Sequence, residues 1–182
     1  MIEKELKQQK ELKLKTLVTG LMQELNINFV EGTFKTPERV SKALLEIFSS
    51  NFTSYKELED QMTVFASDSC GEVVVKDIPF YSMCEHHLLP FFGKVTITYI
   101  PNELQLGLSK FHRVVNYFSR KAQVQERLTS EIGMFLVLHL DPKYLRVDIK
   151  DCRHMCMEMR GVNSTSTTDT NWTYTKEEGL NE

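Results

Sequence analysis

The chain has 182 residues, 41% of them hydrophobic and 26% charged, with 8 Gly and 5 Pro, which excludes collagen-like, low-complexity and wholly disordered chains. Its net charge of −3 and pI near 6.0 argue against a general nucleic-acid binder, yet leave room for a local basic pocket. No apolar stretch approaches the ~18 residues of a membrane span, and residues 1–16, crowded with Lys, Glu and Gln, hold no signal-peptide core, so a cytoplasmic chain with no membrane partner is expected.

Leu14, Leu17, Val18, Leu21, Met22 and Leu25 recur at the spacing of one helical face. They predict a first helix whose polar start, through about Lys13, frays or packs on a neighbouring subunit. A second helix opens at Thr36-Pro37, with Thr36 as N-cap and proline at the first helical position. Its expected apolar face is Val40, Ala43, Leu44 and Ile47, while Arg39 and Lys42 point together from another face. The ordinary reading of that pair is a solvated basic stripe. A short helix falls between residues 55 and 70.

Strand-like runs follow at Glu72–Ile78, Phe91–Ile100, Tyr144–Asp151 and Cys152–Arg160. Two helices lie between the strand pairs. Ser109 is expected to cap the first, with Phe111, Val114, Val115 and Phe118 inward. The second runs from about Val124 to His139, with Leu128, Ile132, Phe135 and Leu136 inward. The tail after Gly161 is Ser/Thr/Asn-rich and suits an edge strand before a loose end. This order predicts an α+β fold, an antiparallel sheet with helices on one face. A helical segment over residues 1–50 would precede the main domain at 51–182.

Four cysteines, Cys70, Cys84, Cys152 and Cys156, are too few for a disulfide scaffold, and beside histidines they read as metal or catalytic candidates. In Ser82-Met83-Cys84-Glu85-His86-His87, a turn brings the Cys84 thiolate and the His87 imidazole to one metal, at the spacing of zinc knuckles. Further on, a strand over Arg153–Arg160 would line His154, Cys156, Glu158 and Arg160 on one side. Met155, Met157 and Met159 would form a core stripe on the other. Cys84, His87 and Cys156 together offer two thiolates and an imidazole, a donor set suited to Zn²⁺. Three protein ligands leave a fourth position for water, as in catalytic sites; a fourth ligand from His86, His154 or Cys152 would instead close the site as a structural one. No metal at all is the third reading. With the open site, His86 and His154 are free for proton transfer. The deaminase pattern H-x-E with P-C-x-x-C is absent.

A third cluster places Ser109, Lys110 and Arg113 at a helix start, where free amides and the dipole favour anions. Gln125 and Glu126 open the next helix, where the ordinary role of Glu126 is to complement the dipole.

These clusters, in this order, resemble GTP cyclohydrolase I. The resemblance is carried by Thr36-Pro37-Glu38-Arg39-Val40, Ser82 through Leu88, Gly107-Leu108-Ser109-Lys110, Gln123 through Thr129, and His154-Met155-Cys156 closed by Met159-Arg160-Gly161. It spans roughly residues 14 to 168. It implies that Cys84, His87 and Cys156 hold zinc and that His86 and His154 are the acid–base histidines. Glu126, with Gln125, would read guanine. Ser109, Lys110, Arg113 and Arg160 would hold the ribose and triphosphate, and Arg39 and Lys42 would reach the phosphates of an adjacent subunit's site. The implied reaction is hydrolytic, without a redox cofactor. Water adds at C8 of GTP, the ring opens and formate leaves. The ribose then rearranges, with Ser109 assisting, and recloses to 7,8-dihydroneopterin triphosphate. The implied architecture is the tunnelling fold, assembled as a homodecamer with sites at subunit junctions. Departures from the family pattern touch assembly more than chemistry: a short Asn26–Lys35 approach, and Asp169, Asn171 and Trp172 in the final strand. The alternatives are a zinc-binding protein without turnover, or a related enzyme of pterin or deazapurine chemistry. Cys152 is expected to be a passive neighbour of His154.

Overall fold

Three long strands carry the second part of the chain, and their buried residues meet in register. In the computed structural model, which describes residues 2–68 and 71–176, with side chains from residue 5, the chain divides into two compact units at Ser49/Ser50. Cys70 lies outside the described residues.

The first unit holds α1 (Ile2–Glu24) and α2 (Thr36–Ile47), which pack on each other. The helix α1 begins well before Leu14. Its buried stripe is narrow, with Val18 and Met22 inward and Leu17, Leu21 and Leu25 exposed. On α2 the buried residues are Pro37, Ser41 and Leu45, one position round from the expected face, and Ala43 is exposed. Lys35 rather than Thr36 stands at the N-cap, and Pro37 follows inside the first turn. Lys42 is tied to Glu38 at 2.6 Å and lies 3.8 Å from Glu11. Arg39 is exposed.

The second unit opens with α3 (Tyr55–Glu59), closed by a capping box between Ser54 and Glu57. Then come β1 (Val64–Ala66), β2 (Val73–Cys84), β3 (Pro90–Ile100), β4 (Leu104–Leu106), α4 (Leu108–Ser119), β5 (Ala122–Gln123), α5 (Gln125–Leu140), β6 (Tyr144–His154), α6 (Met155–Glu158) and β7 (Thr168–Thr175). A five-stranded sheet runs in the order β5-β2-β3-β6-β7, with β1 and β4 paired separately. All its pairings are antiparallel except β2 with β5.

The register Val95↔Ile149, Ile97↔Val147 and Tyr99↔Leu145 puts six buried side chains opposite one another on one face. Across that face lie Phe111, Val114, Val115 and Phe118 of α4, with Leu128, Ile132, Phe135 and Leu136 of α5, the helical faces the sequence predicts. The architecture is α+β with packed helices, as expected from the element order, and the sheet is antiparallel but for the short β5.

Two strands differ from expectation. A bulge between Val75 and Ile78, with Asp77 at φ 57°, keeps β2 paired beyond Ile78 to the metal-binding cysteine candidate. At the other end, β6 stops at His154 instead of continuing to Arg160. His154 pairs with Phe91, and β3 begins one residue earlier at a proline, which has no N–H to donate. Residues beyond His154 therefore have no strand to pair with and turn into α6, closed by Met159 N–H to Met155 O at 3.1 Å. The methionines do not form a core stripe: Met155 and Met157 are half-buried, and Met159 is exposed.

Candidate active site

The turn after β2 is held at several points. The Cys84 N–H donates to Leu89 O at 2.9 Å, and the N–H groups of His87 and Leu88 return to Cys84 O at 3.3 and 2.8 Å. Leu88 takes a left-handed φ of 51° to close the turn. The effect is to fold both histidines over the thiol, with Cys84 Sγ 3.7 Å from Nδ1 of His86 and also of His87. The Glu85 N–H donates to Gln123 O at 3.0 Å, and its carboxylate accepts two hydrogen bonds from Arg127 at 2.7 and 3.0 Å. That guanidinium holds the Glu85 carboxyl below its ordinary pKa, and the pair ties the turn to the first turn of α5.

Because the chain turns into α6 after His154, Cys156 swings towards the β2 end. Its sulfur, Cys84 Sγ and a His87 ring nitrogen all lie within 4.8 Å of one another. Burial raises the Cys156 thiol pKa, and the adjacent Cys84 adds to the effect. The α6 turn is pinned by an Arg153–Glu158 ion pair, and the Arg153 guanidinium lies over the Phe92 ring.

His154, on the last turn of the β6 ladder, stacks flat on Phe91 with ring centroids 4.9 Å apart and planes 2° apart. Its Nε2 is 2.9 Å from Gln125 Oε1 and 3.5 Å from Cys152 Sγ. Burial lowers the His154 pKa, with the Glu126 charge acting in the opposite sense. Cys152 is fully buried, and burial, joined by the Asp169 charge, pushes its thiol up to about 12.

Gln125 is itself buried at the start of α5. Its Nε2 donates to Thr168 O and to Thr170 Oγ1, each at 3.1 Å, and its Oε1 accepts from Thr168 Oγ1 at 2.6 Å. The next residue, Glu126, is exposed.

These groups surround a cavity of about 380 Å³, within the range of small-molecule sites. Its walls include Cys84, His86, His87, Gln125, Glu126, His154 and Cys156, with Thr168, Asp169 and Thr170 contributed by β7. So the chain brings together both acid–base candidates, the three candidate ligands and both base-reading candidates.

The cation candidates are placed differently. Among the described residues the cavity wall includes no Lys or Arg. Ser109, Lys110 and Arg113 sit on α4 and do not line it. Ser109 is not the cap, since Gly107 holds that position. Arg113 donates to Gln61 Oε1 at 2.7 Å. Arg160 follows α6, near enough for its charge to favour the Cys156 thiolate. Arg39 and Lys42 belong to the first unit. Sequence reasoning missed the Glu85–Arg127 and Arg153–Glu158 pairs, the Phe91 stack, and Thr168 and Thr170. The Arg153–Glu158 pair spans only five residues and was hidden because the segment reads as a strand; the others are brought to the site by tertiary structure and had no local signal.

A sequence model described as GTP cyclohydrolase I matches residues 14–179. "GTP cyclohydrolase 1" of Campylobacter jejuni subsp. jejuni (serotype O:6, strain 81116) is 49% identical over 142 residues, covering 76% of this chain and 73% of that protein. The protein of the same name from Sulfurihydrogenibium sp. (strain YO3AOP1) is 50% identical over 136 residues, covering 74% and 68%. "Bifunctional protein FolKE" of Lactococcus lactis subsp. cremoris is 50% identical over 137 residues, which make up 72% of this chain and 38% of that protein. The family match over most of the chain, with relatives at about half identity, establishes that this chain belongs to the GTP cyclohydrolase I family.

Proposed function

We propose that the cavity converts GTP to 7,8-dihydroneopterin triphosphate with release of formate, with zinc held by Cys84, His87 and Cys156. The observation that carries this reading is one cavity walled by two thiols, three imidazoles and the exposed Glu126 carboxylate.

The donor set fits zinc. Zn–S bonds of about 2.3 Å and Zn–N bonds of about 2.0–2.1 Å at tetrahedral angles separate S from N by about 3.6 Å, and Cys84 Sγ lies 3.7 Å from His87 Nδ1. When bound, zinc supplies Lewis acidity that lets water act as a nucleophile near neutral pH. Everything else falls to the chain. Glu126 accepts two hydrogen bonds from the ring N–H and exocyclic amine of guanine, a pattern adenine cannot offer. His154 and His86 carry protons to the ring nitrogen as the imidazole opens. Formate leaves after a second water attack, and Ser109 assists the ribose rearrangement before closure onto the freed amine.

The triphosphate is held by Lys110, Arg113 and Arg160, with Arg39 and Lys42 from an adjacent subunit. A site completed by assembly, in a homo-oligomer that is a decamer by family likeness, is part of the proposal. The tunnelling fold and a cytoplasmic location, as in the family, belong to the same reading. No helix among the described residues is long and apolar enough to cross a membrane.

The test incubates zinc-loaded protein with GTP, and separately with ATP, following formate release and the fluorescence of the oxidised pterin. Parent protein should release formate from GTP only, and Glu126→Ala should lose that activity. Folded, zinc-bound protein that releases no formate would overturn the hydrolase reading and leave a binding role.

A further inference from the structure

The resemblance pairs Gln125 with Glu126 as readers of guanine, yet the Gln125 side chain has no hydrogen-bonding capacity left for a base. We infer that Gln125 is a positioning residue that fixes which nitrogen of His154 carries a proton, leaving Glu126 to read guanine; the inference rests on the reaction proposed above.

A carboxamide offers two N–H donors and two lone pairs. The Thr168 backbone carbonyl can only accept, so the Gln125 atom 3.1 Å from it is the NH₂ group. This settles the orientation of the amide, which atom positions alone leave open. The second N–H goes to Thr170 Oγ1 at 3.1 Å. Thr170 must then send its own proton to Thr129 Oγ1, 2.7 Å away, and Thr129 donates to the Gln125 backbone carbonyl at 2.8 Å. Every direction in the chain is consistent. On the other side, Oε1 takes one proton from Thr168 Oγ1 at 2.6 Å. Its remaining lone pair faces His154 Nε2 at 2.9 Å.

Since Oε1 cannot donate, Nε2 must be the N–H. Nε2 is therefore committed to Gln125, and Nδ1 is the ring nitrogen left for other partners. The parallel stack on Phe91 fixes the ring plane, and the amide fixes its rotation within that plane. The edge strand β7 thus enters the chemistry indirectly, because Thr168 and Thr170 orient the amide that orients the imidazole.

The test uses zinc-loaded protein and reads two quantities. Ring ¹H–¹⁵N correlation spectra, with the His154 signal assigned by its disappearance in His154→Asn, report the protonated nitrogen. Steady-state kinetics with GTP separate kcat from KM. In the parent, Nε2 should be the protonated nitrogen. In Gln125→Leu the Nδ1–H form should appear and kcat should fall roughly 10²-fold, the scale of general acid–base catalysis, with KM for GTP little changed. Gln125→Glu restores an acceptor opposite Nε2, so it should bring back the Nε2–H signature and part of kcat, and it decides the matter if the Leu variant fails to fold. A raised KM in Gln125→Leu with kcat and tautomer unchanged would overturn the inference and return Gln125 to base reading, as would an Nδ1–H signal in the parent. If the parent turns over no GTP, the proposed reaction fails, while the spectra still decide the positioning role.

Discussion

The groups expected to handle the purine and those expected to hold the triphosphate are built in opposite ways. Around His154, Gln125 and Thr129 are buried, and the Gln125 amide has both donors and both lone pairs engaged. The cations Arg39, Lys42, Arg113 and Arg160 are exposed, and two of them already have local partners, Lys42 in Glu38 and Arg113 in Gln61. The difference follows the chemistry. Proton transfer fails when a ring is misplaced by an ångström or presents the wrong nitrogen, so it needs groups locked by packing and hydrogen bonds within one chain. A triphosphate needs positive charge, which long flexible side chains can deliver over a distance.

The contrast can be broken from either side. The largest effect is expected from Cys156→Ser, which removes one soft donor: zinc content should collapse and turnover should fall by about 10³-fold or more, while the circular dichroism spectrum stays that of the parent. Normal activity in a zinc-free Cys156→Ser protein would remove the metal from the account.

Next comes the seating of β7. A Cβ on Gly133 would collide with ring atoms of Trp172, so α5 has a notch that only glycine provides. Gly133→Ala should cost about 1–3 kcal/mol by overpacking. The single tryptophan makes its fluorescence during denaturant unfolding a direct report. An unchanged unfolding midpoint would show that the strand moves freely, weakening the contrast between a locked end and a loose one.

Lys110→Ala tests the cation side. Losing one charge-assisted hydrogen bond should raise KM for GTP about 10-fold, with kcat and zinc content close to the parent's. A fall in kcat at constant KM would place Lys110 with the proton-transfer groups instead. The smallest effect belongs to Cys152→Ala. A thiol with its pKa pushed up to about 12 stays protonated at neutral pH, so kcat/KM should stay within about twofold of the parent. A large loss would make Cys152 a working partner of His154.

How much of this was legible depended on the range of the interactions. The inward faces of α4 and α5 could be read because Phe111, Val114, Val115 and Phe118, like Leu128, Ile132, Phe135 and Leu136, repeat at helical spacing. The Cys84 and His87 pairing was equally legible, since a local turn makes it. The stretch from His154 to Arg160 misled because its alternation of polar residues and methionines imitates a strand. What decides its structure is that β3 begins at Pro90 and leaves no partner, a fact written elsewhere in the chain. The work of Gln125 was hidden for the same reason, its partners Thr168 and Thr170 lying 43 and 45 residues away. On α1, leucines mark the helix but do not show which side is buried, and Leu17 and Leu21 remain exposed.

The most direct measurement of the divided site is complementation between two inactive proteins. Cys156→Ala lacks a metal ligand but keeps its cations, and Arg39→Ala/Lys42→Ala lacks the cations but keeps the purine end. Each alone should turn over little GTP. Unfolded together, refolded with zinc and mixed in equal amounts, they should regain about a quarter of the parent's activity per chain, since each working site then needs one intact contribution from each of two subunits. A mixture no more active than its components would contradict the account, by showing that one chain supplies both ends of its own site.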